Sequence, residues 1–387
     1  MIEDMTKSDA ATLDTIETPA LILDLAKVDR NIARLRGHLA GLGVGLRPHV
    51  KTAKSLDVAR RLFPEGVGPI TVSTLAEAEY FAKGGFTDIT YAVGLAPEKI
   101  GRACELVSRG VDLGVLIDSV EQARALADYA AGGQKMPAVL VEIDCDGHRG
   151  GLLPDDRTLV EIADILKAGG VEFRGVLTHA GESYGCRNGE GIPEAAEAER
   201  AAAVNAAQML RDAGHACPVV SVGSTPTAHF VCNLDGVTEV RAGVFMFFDL
   251  VMHGIGVCAL DDIALSVVAT VIGHRHEKGW ILIDGGWMAM SRDRGTSRHP
   301  VDQGYGLVCD IDGTPWPDLI VDDASQEHGI IKVRPGSGAT LPDLAIGQRV
   351  RILPNHACAT GAQHGAYQVI EGNSHAIAAV WPRMRGW

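Results

Sequence analysis

Chemically reactive side chains in this sequence recur where short apolar runs end. A lysine follows the first run, charged side chains follow the fifth, a histidine ends the sixth, and hydroxyl groups and glycines follow the last two. If the runs are parallel strands, their carboxyl ends lie on one rim of a sheet, so these groups would converge on one site. The residues concerned are Lys51, Arg149, His179, Tyr184, Ser224, Thr225 and Gly243.

Lys51 is the first candidate for a catalytic group. A lysine at a strand end that points into a barrel mouth can lose its proton through desolvation and can then form a Schiff base with a carbonyl group. A solvated loop lysine is the alternative interpretation.

The turn Gly223-Ser224-Thr225 after the seventh run is a candidate phosphate site. Its backbone N–H groups and hydroxyl groups are suitable donors, although such triplets are common in turns. A lysine after the first strand and a phosphate site after the last two favour pyridoxal 5′-phosphate (PLP), a cofactor that needs both anchors.

Residues 353–358 contain a candidate metal site. Because residues i and i+2 of a strand share a face, His356 and Cys358 could bind one metal ion if this segment is extended. A thiolate and an imidazole favour Zn²⁺, and two protein ligands leave positions for substrate or water. Mn²⁺ or Co²⁺ could also occupy so open a site. A buried cysteine beside a capped histidine is the alternative.

A glycine-rich turn, Asp284-Gly285-Gly286-Trp287, precedes two arginines, Arg292 and Arg294. Arginine binds carboxylates through two parallel hydrogen bonds, so this segment could bind an acidic substrate. A surface turn with solvated arginines is the alternative.

The elements that must position these residues alternate in type through the first half of the chain. Helix-favouring stretches separate eight apolar or β-branched runs, and residues 27–42 place Val28, Ile32, Leu35 and Leu39 on one helical face. This alternation predicts a parallel (β/α)8 barrel of the TIM type. A doubly wound open sheet is the alternative, but no GxGxxG turn follows the first run. The runs are residues 44–48, 70–73, 88–93, 111–117, 138–144, 173–179, 218–223 and 238–243.

Beyond about residue 249, long helical patterns give way to strand-like runs separated by Gly, Pro and Asp. We therefore predict a barrel over residues 27–255 and a mostly β domain over residues 256–387. The N-terminal segment, residues 1–26, contains a strand-like run that we expect to pair with the β domain. The later runs are residues 266–272, 280–284, 330–334, 349–353, 367–370 and 376–380.

Composition narrows the class of protein. The 387 residues are 46% hydrophobic and 22% charged, which suits one large and one smaller globular domain and excludes disorder. A net charge of −14 without a basic stripe argues against nucleic acid and anionic membranes as partners. The polar N-terminus and the lack of an apolar run of about 18 residues argue against a signal peptide and a membrane span. Eight scattered cysteines without a CxxC pair indicate reduced thiols in a cytoplasmic protein.

Several of these motifs resemble those of the D-serine dehydratase-like branch of the fold-type III PLP enzymes, over residues 18–387. The resemblance implies an alanine racemase-like architecture and a homodimer whose active sites lie at the subunit interface. The motifs are Arg47-Pro48-His49-Val50-Lys51 with Lys54, ITVSTLAEAE at 70–79, Asp146-Gly147-His148-Arg149, Thr178-His179-Ala180-Gly181, VSVGSTPT at 220–227, Asp284-Gly285-Gly286-Trp287 and Pro354-Asn355-His356-Ala357-Cys358.

The same resemblance implies a role for each candidate residue. Lys51 would be the Schiff-base lysine, and Arg149 would contact the ring hydroxyl of PLP. The other implied roles are ring contacts for His179 and Tyr184, phosphate contacts for Ser224, Thr225 and Gly243, and ligation of a divalent metal by His356 and Cys358.

The implied activity is that of a carbon–oxygen lyase. A PLP- and metal-dependent dehydratase of this kind converts a D-3-hydroxy amino acid, such as D-threo-3-hydroxyaspartate, D-serine or D-threonine, to a 2-oxo acid and ammonia. Related D-threonine aldolases carry Asp where this chain has Cys358, so cleavage to glycine and an aldehyde is the alternative. A non-catalytic PLP-binding barrel is a second alternative, but such proteins lack the β domain.

Overall fold

The structure is a computed structural model that describes residues 11–187 and 189–387, so residues 1–10 of the predicted N-terminal segment lie outside it. The strands are β1 (Ala20–Asp24), β2 (Gly45–Pro48), β3 (Ile70–Val72), β4 (Asp88–Gly94), β5 (Asp112–Ile117), β6 (Ala138–Ile143), β7 (Phe173–Thr178), β8 (Val219–Val222), β9 (Glu239–Ala242), β10 (Leu265–Arg275), β11 (Trp280–Ile283), β12 (Gly306–Cys309), β13 (Pro315–Ala324), β14 (Gly329–Val333), β15 (Arg349–Pro354), β16 (Ala366–Ile370) and β17 (Ala379–Pro382). The α-helices are α1 (Leu25–Gly41), α2 (Leu56–Arg61), α3 (Leu75–Lys83), α4 (Ile100–Ser108), α5 (Val120–Ala130), α6 (Thr158–Ala168), α7 (Ile192–Asp212), α8 (Thr225–Phe230), α9 (Leu250–Gly254), α10 (Trp287–Met290) and α11 (Ala357–Gln363).

Strands β2 to β9 form the predicted barrel. Their order is β2-β9-β8-β7-β6-β5-β4-β3, and every neighbouring pair in it is parallel. The two outer strands approach each other where His49 bridges to Thr71 and the Val50 N–H donates to the Thr71 carbonyl at 2.9 Å, so the barrel is nearly closed. Each predicted run matches its strand to within one residue, because strands covered on both faces are continuously apolar.

The helices between these strands form where the sequence provides an apolar face, and a side-chain cap fixes the start of some of them. Helix α1 buries Val28, Ile32, Leu35 and Leu39, as their spacing predicts. Helix α3 begins after Thr74, whose side-chain oxygen accepts a hydrogen bond from the Glu77 N–H at 3.0 Å. This cap fixes where the loop after β3 ends.

The remaining strands form a nine-stranded sheet in the order β11-β14-β13-β12-β15-β10-β1-β16-β17. Strand β1 lies inside this sheet, antiparallel to β10 with Ala20 opposite Val268 and parallel to β16 with Ile22 opposite Gln368. Strands β12 and β13 were not predicted from the sequence, and the run predicted over residues 376–380 begins as a strand only at β17.

The described chain divides into two compact units. The barrel unit comprises Asn31–Met246, Ile255–Val257 and Met384–Trp387, and the β unit comprises the described residues up to Arg30, Phe247–Gly254 and Cys258–Arg383. All eight cysteines are free thiols. Within the described residues, no helix combines the length and the apolar composition that crossing a membrane requires.

Candidate active site

Lys51 lies in the turn that follows β2, at the carboxyl rim of the barrel. Its neighbours Val50, Thr52 and Ala53 are buried and hold the turn against the barrel. The Lys51 side chain is exposed, whereas the sequence argument expected it to be desolvated. Its charge nevertheless reaches the buried rings of His49 and His179, since it lowers the pKa of both, so the Lys51 amine lies beside them at the rim.

A second lysine in this turn, Lys54, is held by an ion pair. Its Nζ lies 3.1 Å from Oε1 of Glu77, whose side chain is fully buried. Glu77 also accepts hydrogen bonds from the Ser73 backbone at 2.8 Å and from the Ser73 hydroxyl at 2.7 Å. Because Lys54 is committed to this pair, Lys51 is the amine of this turn that can meet a ligand.

The imidazole of His179, at the end of β7, is kept neutral by its surroundings. Burial lowers its pKa to about 3, and the positive charges of Lys51, Arg241 and Arg149 also lower it. Its Nδ1 lies 3.0 Å from the carbonyl oxygen of Gly223. Since a carbonyl can only accept, Nδ1 carries the proton and Nε2 is an acceptor. The ring centroid of Tyr184 lies 6.2 Å from that of His179.

Two more side chains lie near Lys51, His49 as a neutral ring and Arg241 as a cation. Burial lowers the pKa of His49 well below its usual value, and the charges of Lys51 and Arg241 add to that effect. Arg241, on β9, is buried and donates to the Ser221 hydroxyl at 2.8 Å and to the Thr178 carbonyl at 2.5 Å. No role was predicted for Arg241 from the sequence. Its place at a strand end beside Gly243 could nevertheless have indicated that it lies at the rim.

Arg149 lies in the loop after β6 and is mostly exposed. Its Nη2 atom is 3.3 Å from Oε1 of Glu142, which lies on β6. The loop is tied to the segment after β7, because Asp146 accepts from the Glu182 N–H at 2.9 Å and His148 Nδ1 lies 2.8 Å from Glu182 Oε1. These hydrogen bonds therefore hold the loop that carries Arg149 on the same rim as His179.

The two hydroxyl residues of the predicted phosphate turn differ in what they bind. Ser224 caps α8, accepting from the Thr227 N–H at 3.2 Å, and its Oγ also contacts the Ser183 Oγ at 3.0 Å. The Thr225 hydroxyl is buried and has no hydrogen-bond partner among the residues that the structure describes. A buried hydroxyl without a partner is costly, so this atom fits a ligand with acceptor oxygens.

Gly243 brings the end of β9 against the turn that carries Lys51. A Cβ atom on it would lie 3.0 Å from the His49 carbonyl oxygen and 3.2 Å from the Thr52 hydroxyl, closer than most such contacts. The absent side chain therefore allows the end of β9 to lie against the lysine turn. With the unpartnered Thr225 hydroxyl and the accepting Nε2 of His179, these residues fit the chemistry of PLP.

The predicted metal ligands lie in the β unit, but they are not on a strand. Strand β15 ends at Pro354, His356 is the N-cap residue of α11, and Cys358 lies in the first turn of that helix. The expectation of a shared strand face was therefore wrong. The buried carboxylate of Asp249 starts the helix by accepting from the Ala357 N–H at 2.9 Å.

His356 and Cys358 nevertheless form one hydrogen-bonded pair, backed by Asp293. The Nδ1 atom of His356 lies 2.6 Å from Asp293 Oδ2. Burial lowers the pKa of His356, but the hydrogen bonds with Asp293 and Cys358 outweigh it and raise the pKa to about 11. Across the described part of the chain, no cluster of three or more His, Cys, Asp or Glu side chains could hold a metal ion. Two donors of these types would leave positions of a bound metal open for other ligands.

The residues of the predicted carboxylate site, Asp284, Arg292 and Arg294, each have a different structural role. Asp284 accepts from the Thr270 N–H at 2.7 Å and from the Thr18 hydroxyl at 2.5 Å, which fixes the end of β11. Arg294 pairs with Asp302 at 2.8 Å. Arg292 stacks over the Trp287 ring at 4.9 Å. The structure thus does not bring this constellation together as one carboxylate site.

Two family profiles match the chain. The profile for the alanine racemase N-terminal domain matches residues 23–251, and the profile for a putative serine dehydratase domain matches residues 264–370. Together they span the barrel and most of the strands of the β unit.

Characterised proteins are similar over nearly the whole chain. A D-threo-3-hydroxyaspartate dehydratase from Delftia sp. is 52% identical, covering 97% of this chain and 99% of the relative. A D-serine dehydratase from Dictyostelium discoideum is 30% identical, covering 96% and 97%. A solved structure of a D-threo-3-hydroxyaspartate dehydratase, a cysteine-to-alanine mutant in its metal-free form, has a TM-score of 0.93 at 51% identity and covers 97% of this chain and 100% of that chain.

These matches confirm the resemblance that the motifs indicated. They also agree with the nearly closed parallel barrel and the antiparallel β domain described above. The chain belongs to the serine dehydratase branch of the alanine racemase-like, fold-type III family of PLP-dependent enzymes.

Proposed function

We propose that this protein is a lyase that eliminates water from a D-3-hydroxy amino acid of the D-threo-3-hydroxyaspartate or D-serine type. The enamine product then hydrolyses to a 2-oxo acid and ammonia. The observation that carries the proposal is the hydrogen-bonded pair of His356 and Cys358 backed by Asp293. A D-threo-3-hydroxyaspartate dehydratase that is 51% identical to this chain has been solved as a cysteine-to-alanine mutant in a metal-free form, which supports a metal role for this pair.

In the barrel unit, the cofactor would be held from two sides. Lys51 would bind its carbonyl carbon, and the Thr225 hydroxyl and the backbone at Gly243 would hold its phosphate. Arg149, His179 and Tyr184, with Ser224 as the cap of the phosphate turn, complete the predicted set. Bound PLP withdraws electrons from the substrate Cα, which makes its proton removable.

Lys51 is the group suited to take that proton. When it is not bound to the cofactor, the Lys51 amine would lie on one side of the rim and would act there as a general base. A base that reaches only one face selects one enantiomer at Cα. The neutral His179 accepts rather than donates through Nε2, so it adds no positive charge beside this amine.

In the β unit, His356 and Cys358 would hold a divalent metal, with Zn²⁺ favoured by the soft thiolate and Mn²⁺ or Co²⁺ as alternatives. A metal ion bound to the β-hydroxyl acts as a Lewis acid and makes hydroxide a better leaving group. Because Asp293 holds Nδ1 of His356, the other ring nitrogen, Nε2, would be the ligand. That nitrogen must be deprotonated, so metal binding releases a proton.

Asp293 should tune this metal site without being a ligand. We expect Asp293→Asn to weaken metal affinity by about 10- to 100-fold, since partners that orient a ligating histidine have effects of that size. Titration of the metal-depleted protein with Zn²⁺ measures the affinity. Asp302→Asn, which removes the carboxylate that pairs with Arg294 in the same unit, is the matched control and should leave the affinity unchanged.

Product analysis separates the dehydratase from the aldolase alternative. We expect D-threo-3-hydroxyaspartate to give oxaloacetate and ammonia, and D-serine to give pyruvate and ammonia. Glycine and an aldehyde as the main products would reject the proposal in favour of an aldolase. The aldolase is less supported, because both curated relatives described above are dehydratases. A chain that binds PLP but turns over none of these substrates would match the non-catalytic alternative.

The family resemblance also leads us to propose a homodimer, which analytical ultracentrifugation of the purified protein would test. A cytoplasmic location and the lack of nucleic-acid partners remain predictions from the charge and cysteine content of the sequence.

A further inference from the structure

A buried carboxylate that the proposed reaction does not use lies behind the phosphate turn. Glu199 is on the core-facing side of α7, among Ile192, Ala196 and Ala203, and only 2% of it is exposed. The sequence pattern places an apolar residue at this point of the helix. A carboxylate there costs desolvation energy that a leucine or alanine would avoid, so its presence needs a reason.

Three donors converge on this carboxylate, two backbone N–H groups at neighbouring strand ends and one hydroxyl group on α8. Oε1 of Glu199 accepts from the Ala180 N–H at 2.9 Å and from the Gly223 N–H at 2.9 Å. Oε2 accepts from the Thr227 hydroxyl at 2.7 Å. Ala180 follows His179, and Gly223 precedes the cap of α8, so one side chain joins the ends of β7 and β8.

These contacts require an acceptor at Oε1, because a backbone N–H can only donate. Burial raises the pKa of Glu199, while the hydrogen bonds from Thr227, Ala180 and Gly223 oppose that shift and favour the carboxylate. The hydrogen-bond donors around Glu199 thus hold its carboxylate in one position and stabilise its negative charge.

Glu199 and His179 together hold Gly223 from both sides. The Gly223 N–H donates to Glu199, and the Gly223 carbonyl accepts from His179 Nδ1 at 3.0 Å. Gly223 has a φ of +141°, and a Cβ on it would lie 2.0 Å from the Arg241 carbonyl oxygen. A residue with a side chain does not fit there. The turn that leads to Thr225 is therefore held in one conformation.

We propose that Glu199 is a positioning residue that fixes the turn of Gly223, Ser224 and Thr225 against His179, and that it thereby makes the barrel select the phosphorylated cofactor. The inference depends on the PLP site proposed above. It does not depend on the reaction, because its readout is the binding of two cofactor forms to the apoprotein.

The test compares PLP with pyridoxal, which lacks the phosphate. Each is titrated into the apo forms of the wild type, Glu199→Gln and Glu197→Gln, and binding is followed by visible absorbance. Gln keeps the acceptor at Oε1 but presents an N–H₂ donor to Thr227. We expect Glu199→Gln to lower the preference for PLP over pyridoxal by about tenfold or more, the effect of disturbing hydrogen bonds to a buried charged group. Glu197, an exposed residue of the same helix that pairs with Arg200, is the matched control and should keep the preference.

A wild-type preference in Glu199→Gln would overturn the inference, and so would an equal loss of affinity for both ligands, because that outcome indicates general damage to the barrel. If Glu199→Gln does not fold, Thr227→Val takes its place, since it removes one of the three donors. A folded Thr227→Val protein with an unchanged preference would also overturn the inference. A wild type that binds both forms equally would instead reject the proposed phosphate site.

Discussion

Replacing Lys51 with alanine should lower kcat on a D-3-hydroxy amino acid by about 10³-fold or more, because the chain loses both the amine that binds the cofactor and the base at Cα. The purified variant should also lack the visible absorbance band of lysine-bound PLP. Both effects follow from the position of Lys51 at the barrel rim, where the neighbouring Lys54 is already paired with Glu77. Spectra and ammonia release, recorded with excess PLP, measure them.

The control for this variant is Lys99→Ala, which changes an exposed lysine in the short 3₁₀ turn Pro97–Lys99. It should keep both the band and the activity. A Lys51→Ala protein that retained the wild-type band would show that a different amine holds the cofactor, and the assignment of Lys51 would be wrong.

Removal of the metal pair should have the second largest effect. We expect His356→Ala and Cys358→Ala each to lower kcat for elimination by about 10³-fold, since Lewis-acid assistance contributes several kcal/mol and each 1.4 kcal/mol is a factor of ten in rate. The visible band of bound PLP should persist, because the residues proposed to hold the cofactor belong to the barrel unit. Ammonia release, metal content and absorbance are measured on the same samples.

Chelation provides the comparison without a mutation. Treatment with EDTA should abolish elimination in the wild type, and added Zn²⁺, Mn²⁺ or Co²⁺ should restore it there but not in the two variants. Cys232→Ala, which alters an exposed cysteine in the barrel unit, is the matched control and should behave as the wild type. Full activity after verified removal of metal would reject the Lewis-acid role.

The barrel could be read from the sequence because its strands are buried on both faces and its helices have one apolar face. The β domain was harder to read. Strand β12 has four residues, and β13 contains Pro315, Pro317 and three aspartates, a composition that resembles a loop. Proline is tolerated at the start of a strand, so β13 forms through pairing with its neighbours rather than through local preference.

In the candidate site, too, some features follow from nearby residues, and others depend on residues far away in the sequence. His356 and Cys358 were singled out from the sequence as a pair on one strand face. The helix that carries them could not be predicted from nearby residues, because its first N–H is held by Asp249, which lies more than a hundred residues earlier. Glu199 was missed because its three donors come from other elements, and the visible signal was one acidic residue on an apolar helix face.

The interior place of β1 has a consequence for how the chain is made. On the ribosome β1 emerges well before its partners, the strands that begin at Leu265 and Ala366, so it stays unpaired until those strands have been synthesised. Such late, distant pairing slows folding. A fragment that begins after the barrel would lack β1 and expose the free edges of β10 and β16, which are sites for aggregation. Recombinant production of the β domain therefore calls for the N-terminal strand to be supplied with it, as a fusion or a co-expressed peptide.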